Sequence, residues 1–124
     1  MSEGAQPNKH RGDVAITLGG QAKVLRPSFE AMVAIEAQCG SILTLAMRAG
    51  QRGGQPLDTG EMAVIIAETL KAHGRDEKST DAGASTDKVR KLIFEAGVHT
   101  VVPVVVEVLI AMVRGGQSDT PGNA

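Results

Sequence analysis

Apolar and polar residues alternate over Asp13–Leu18, placing Val14, Ile16 and Leu18 on one side, the period of a half-buried strand. Gly19-Gly20 follows, and then Gln21-Ala22-Lys23-Val24-Leu25. A Gly-Gly pair supplies the positive φ that a two-residue hairpin turn needs. The pattern therefore predicts an antiparallel hairpin over 13–25. A lone hairpin is only marginally stable in water, so its apolar side has to pack on helices.

From Ser28 the period changes to about 3.6 residues. Phe29, Met32, Val33, Ile35 and Cys39 trace an apolar stripe between a Ser28 cap and Gly40, predicting a helix over about 28–39. Ser41 caps a second, over about 41–49, with Ile42, Leu43, Leu45, Ala46 and Ala49 inward and Gly50 at its end. Gly and Pro make 51–56 a loop. Asp58 with Glu61 forms a capping-box pattern opening a third helix over about 59–73. Met62, Ile65, Ile66, Thr69, Leu70 and His73 share one face of it, and Gly74 is read as its stop. Residues 75–84, charged and small, are expected to be a mobile loop.

Ser85 or Thr86 caps a fourth helix over about 86–96, with Val89, Leu92, Ile93 and Ala96 at core spacing and Gly97 after it. In the last segment, about 100–114, the valine run favours a strand by propensity. Pro103 in a first turn after Thr100, and Leu109-Ile110-Ala111-Met112, decide for a helix. The fold class is mainly α (α+β): an N-terminal hairpin packed on a bundle of about five α-helices. Residues 10–114 form one domain between tails 1–9 and 115–124, which lack large apolar side chains and are expected to be disordered.

The last helix is apolar around most of its circumference, with only Thr100, Pro103, Glu107 and Arg114 in a narrow polar stripe. Such a helix is largely buried, or gives part of its surface to another chain. Met62, Ile66 and Leu70, or Val105, Leu109 and Met112, are candidate anchors for a partner helix. Ordinary core packing is the competing reading for each of them.

Composition narrows the function. The chain has two Phe and no Tyr or Trp, too few aromatic faces for base-stacking platforms. Thirteen basic against fourteen acidic residues leave a formal charge of −1, without the clustered cations that grip phosphate backbones. Lys9–Arg11 is read as a solvated entry segment. Cys39 is alone, so no internal disulfide forms and a reducing, cytoplasmic setting is expected. The first eight residues lack a signal-peptide core, and the apolar run Val101–Val113 is shorter than the ~20 residues of a membrane span.

Catalytic chemistry is also missing. His10, His73 and His99 have no metal-ligand spacing with each other or with Cys39. His73 is read as a cation at a helix end, and Cys39 as a small buried hydrophobe. The glycine pairs lack phosphate-loop spacing. Glu30, Glu36, Glu61 and Glu68 read as solvated charge. The expectation is a non-enzyme with no catalytic residue, cofactor or metal.

The segment Asn8-Lys9-His10-Arg11-Gly12-Asp13-Val14 resembles the N-x-x-R-G-E/D-V opening of the gene transfer agent and phage tail assembly chaperone family. The likeness continues in Ile16–Gln21, in Val24-Leu25-Arg26-Pro27-Ser28-Phe29-Glu30-Ala31, in Ile35-Glu36 before Gly40, and in Thr86-Asp87-Lys88-Val89 leading to Leu92-Ile93 and Gly97. It covers roughly 10–114 and is strongest over 8–40. The resemblance implies a tail assembly chaperone that binds the tape measure protein and tail tube subunits during tail morphogenesis in the host cytoplasm. It also leaves open a structural tail tube component retained in the particle. Self-association is compatible with either, and neither involves nucleic acid or membrane. A third reading, a small helical DNA-binding regulator, lacks a recognition helix rich in Arg, Lys, Asn or Gln.

Overall fold

A computed structural model describes residues 7–50 and 56–115. The loop residues 51–55 and most of the two expected tails, 1–6 and 116–124, lie outside the described residues. Strands β1 (Val14–Leu18) and β2 (Gln21–Leu25) pair antiparallel, Val14 opposite Leu25 and Leu18 opposite Gln21. Gly19 and Gly20 make the turn at φ 58° and 75°, a combination that only residues tolerant of positive φ sustain. Val14, Ile16 and Leu18 are buried while Ala15 and Thr17 are exposed.

Five α-helices follow: α1 (Phe29–Cys39), α2 (Ile42–Gly50), α3 (Thr59–Glu77), α4 (Thr86–Ala96) and α5 (Val98–Val113). The architecture is thus α+β, a two-stranded hairpin on a helical bundle. The caps are those expected. Ser28 accepts from the Ala31 amide, Ser41 from Thr44 and Ser85 from Lys88. Asp58 and Glu61 complete a reciprocal capping box, each side chain accepting from the other's backbone N–H.

The centre of the molecule is α3. Every residue from Met62 to Leu70 is buried, Glu68 and Thr69 included. It packs against α1, α4, α5, β2 and a short 3-10 helix at Thr80–Gly83, while α5 lies at the side against α2, α4 and β1.

Two features of α3 depart from expectation. Gly74 does not stop it: the helix runs to Glu77 and ends on Lys78 in the left-handed conformation, φ 56°. A Cβ on Gly74 would fall on the backbone nitrogen of Ala82, and 2.5 Å from the carbonyl carbon of Asp81. The glycine is there for close packing. Residues 75–84 are accordingly structured, with Ser79 capping the 3-10 helix and Lys23 paired to Asp81 at 2.9 Å.

The start of α5 also differs. It begins at Val98 with no side-chain cap, so Pro103 falls in the second turn instead of the first. There its ring nitrogen has no hydrogen for the carbonyl four residues back, that of His99. The Thr100 hydroxyl, expected to open the helix, instead donates to the Gly97 and Ala96 carbonyls at 2.7 and 3.1 Å.

A buried ion pair holds the N-terminal segment to this frame. Arg26, 3% exposed, donates from Nε and Nη2 to the two oxygens of Asp13 at 2.9 and 2.8 Å, and from Nη1 to Asp76 at 2.9 Å. Asp13 also accepts from the Asn8 amide at 2.8 Å, and the Arg26 amide donates to the Thr69 carbonyl of α3. Asn8, placed in the expected tail, therefore belongs to the folded body. Lys9–Arg11 is a turn of 3-10 helix, with Arg11 reaching Asp76 at 3.3 Å.

Two stability outcomes follow from this packing. Asp13→Ala strands a buried guanidinium without its principal partner and lowers stability by about 3–5 kcal/mol, whereas Asp76→Ala, at a half-exposed position, costs less. Gly74→Ala gains helix propensity of about 1 kcal/mol but forces the 3-10 helix away, for a net loss of about 1–3 kcal/mol. Urea unfolding midpoints check both.

Candidate protein-binding surface

All six residues named as partner anchors point into the core. Met62, Ile66, Leu70, Val105, Leu109 and Met112 are each at most 6% exposed. The physical reason is encirclement: α3 is covered on every side, and the inner arc of α5 is Val101, Val105, Val108, Leu109 and Met112. Three of the six still reach the edge of a groove. Met62 and Val105 line one of about 100 Å³ with Arg48, Ala49, Leu57 and Val102. Met112 lines another, of about 200 Å³, with Pro27, Phe29, Met32 and Gly115. Ile66, Leu70 and Leu109 are interior.

The exposed apolar residues lie on the opposite arcs of the same helices. On α5 they are Val102, Ile110 and Val113, with half-buried Val106 between, a stripe at spacings of four, four and three. On α2, which packs along α5, they are Leu43 and Met47; on α1 they are Phe29, 71% exposed, and Val33. Phe29, Val33 and Leu43, which the periodicity placed inward, thus face out, and Ala31, Ile35, Ile42 and Leu45 do the packing. The two grooves join these helices, one between the end of α2 and the middle of α5, the other between the start of α1 and the end of α5. Large apolar side chains left exposed on neighbouring helices are candidates for contact with another chain.

A separate apolar point stands elsewhere. Phe94 on α4 is 78% exposed, in a groove of about 380 Å³ lined by Thr59, Asp87, Arg90, Lys91 and Val98. Its position between Ile93 and Glu95, off the Val89–Ile93 core arc, was the only sign of it in the sequence.

Residues 11–115 match the family model described as "Phage tail tube protein, GTA-gp10". The chain belongs to this family. No curated protein and no solved structure matches it. The kinship with gene transfer agent and phage tail proteins suggested by the opening motif therefore holds. The family's description names the tail tube, and not an assembly chaperone.

Several of the tail protein's ionisable groups hold elements of the fold together. Of four glutamates expected to be solvated, three are engaged. Glu36 accepts from the Ile42 amide at 3.0 Å. Glu61 takes both Nη groups of Arg48 at 2.9 Å, which holds its carboxyl below the usual range. Glu68, 7% exposed, accepts from Gln38 at 3.1 Å and Lys71 at 3.0 Å. Among the described residues no three His, Cys, Asp or Glu come close enough to hold a metal, and no single helix is long and apolar enough to cross a membrane. Burial, reinforced by the charges of Glu61 and Asp58, pushes the Cys39 thiol up, opposite to what a nucleophilic thiolate requires.

His73 corrects another expectation. It lies a turn before the helix end, 3% exposed, where burial first and the Arg26 charge second lower its pKa from the usual 6.5. It is a neutral imidazole in the core, not an imidazolium on the helix dipole. Unfolding lets it bind a proton more readily, so stability falls as pH drops through about 6.5. His73→Met should flatten the dependence of the urea midpoint on pH between about 7 and 5. The Glu61 contribution is lost at lower pH, below the ordinary glutamate value of 4.5, and stays separable.

Proposed function

We propose that this chain is a non-enzymatic tail component, a subunit of the tail tube region held to other tail proteins through the outward faces of α1, α2 and α5. One observation carries the reading: the large apolar side chains left exposed on these helices stand at helical spacing on adjoining elements, Phe29 with Val33, Leu43 with Met47, and Val102 with Ile110 and Val113. The family's description favours the tube. The ionisable side chains support a binding role over catalysis, since buried Asp13, Arg26 and Glu68 bond across elements. Assembly in the host cytoplasm belongs to the same proposal, supported by a lone cysteine that needs no oxidising compartment.

A second reading, an assembly chaperone that covers the tape measure protein transiently, is favoured by one particular: Met32 and Met112 flank Phe29 in the groove at the end of α5. Flexible thioethers adapt to varied apolar partners, as a helix presented along a groove demands. Quantitative mass spectrometry of purified particles separates the two. Copies in proportion to tube subunits support the tube role. Absence from particles, with co-purification of the tape measure protein from assembling cells, supports the chaperone, and absence from both contradicts each.

Either role predicts the same mutant. Met47→Asp combined with Ile110→Asp, both at exposed positions, should leave the unfolding midpoint unchanged and weaken capture of co-expressed tail proteins by about tenfold or more. Undiminished capture would place the contact elsewhere.

A further inference from the structure

His73 lies where two kinds of structure meet. It is only 3% exposed, yet from Arg75 to Ala84 no residue is fully buried. That stretch holds the last turn of α3 and the 3-10 helix, and polar ties keep it down. The Ser79 amide donates to the Gly74 carbonyl at 2.9 Å, Asp81 pairs with Lys23 at 2.9 Å, and Asp76 pairs with Arg26 at 2.9 Å. The backbone of Asp81 and Ala82 rests on Gly74, the residue next to His73. Between them Lys78 holds a left-handed conformation, φ 56°, which residues with a side chain seldom adopt. A segment with little buried apolar surface opens at lower free energy than the core beneath it.

We propose that residues 75–84 are an acid-sensitive flap, closed on α3 while His73 is uncharged and favoured to lift when His73 takes up a proton, with the helical bundle still folded. The charged groups that face His73 are Arg26 beyond β2, Asp13 ahead of β1, Glu77 on α3 itself and Asp81 on the 3-10 helix. Lys23 of β2 is held by Asp81, and Asp76 by Arg26. The three carboxylates favour an imidazolium, but burial and the Arg26 charge outweigh them and push the His73 pKa down. Water reaching the ring removes that penalty. Opening therefore gains as pH falls through about 6.5, the ordinary value for an imidazole. It also leaves Arg26 on its bidentate partner Asp13, so no guanidinium is stranded. Such a flap operates whichever tail role the chain has.

Native-state hydrogen exchange at pH about 7 and about 5.5, a range in which ordinary carboxylates stay ionised, tests it. At the higher pH the Ser79, Ala82 and Ala84 amides, bonded within the flap and to Gly74, should be less protected than those of Ile65 and Ile66, buried in the middle of α3. At the lower pH flap protection should fall by up to about eightfold, the proton-binding factor for an open-state pKa near 6.5. His73→Met and His73→Gln should each abolish that fall and leave the flap less protected than the core. Flap amides as protected as the core would overturn the flap, because opening would then be global. So would flap protection that does not change with pH, or a fall that survives in either folded His73 variant.

Discussion

The enclosure of α3 is the constraint on which the rest of the structure depends. With five helices and one hairpin there is material to surround a single helix completely, and α3 takes that place: α1, α4, α5, β2 and the 3-10 helix at Thr80–Gly83 all press on it. Every other helix is then covered on one side only. For α4 this suffices, because most of its outer residues are polar. For α5 it does not. Its sequence is apolar nearly all round, yet its place at the side buries only the Val101–Val105–Val108–Leu109–Met112 arc. Among the described residues the apolar outer surface follows from that lateral position, and a face of that sort is energetically suited to contact with another chain.

Local signals were legible in the sequence and stayed true. The Gly19-Gly20 turn, the β1 alternation and the caps at Ser28, Asp58 and Ser85 each depend on a few adjacent residues. Which arc of a helix faces inward depends on what packs there, and that was less legible. On α1 both Phe29 and Ile35 are apolar, and only the position of α3 decides that Ile35 is buried and Phe29 exposed. Leu43 and the α5 anchors fail for the same reason: periodicity finds an apolar helix but does not orient one that is apolar on several sides. Gly74 shows a different limit. A glycine near a helix end reads as a stop, while here it admits the backbone of Asp81 and Ala82, distant contacts that no local window contains.

The most motif-like stretch of the chain turns out to be structural. Asn8, Arg11 and Asp13, with Arg26 further on, form one hydrogen-bonded cluster that fastens the first strand to Asp76 and to the Thr69 carbonyl on α3. The motif therefore reports on how the fold is held together and does not locate a working surface. The apolar side chains exposed on α1, α2 and α5 (Phe29, Val33, Leu43, Met47, Val102, Ile110 and Val113) are distinguished by their placement in the fold and not by their pattern in the sequence.

Methionine oxidation footprinting with dilute peroxide tests the central claim most directly, because Met47 is on the outer face at 55% exposure and Met62 is an internal control at 3%. Thioethers oxidise according to their access to solvent. In the chain alone Met47 should oxidise rapidly and Met62 slowly; in the complex with its tail partners Met47 should become protected. Equal oxidation of Met47 in the free and assembled protein would contradict the account.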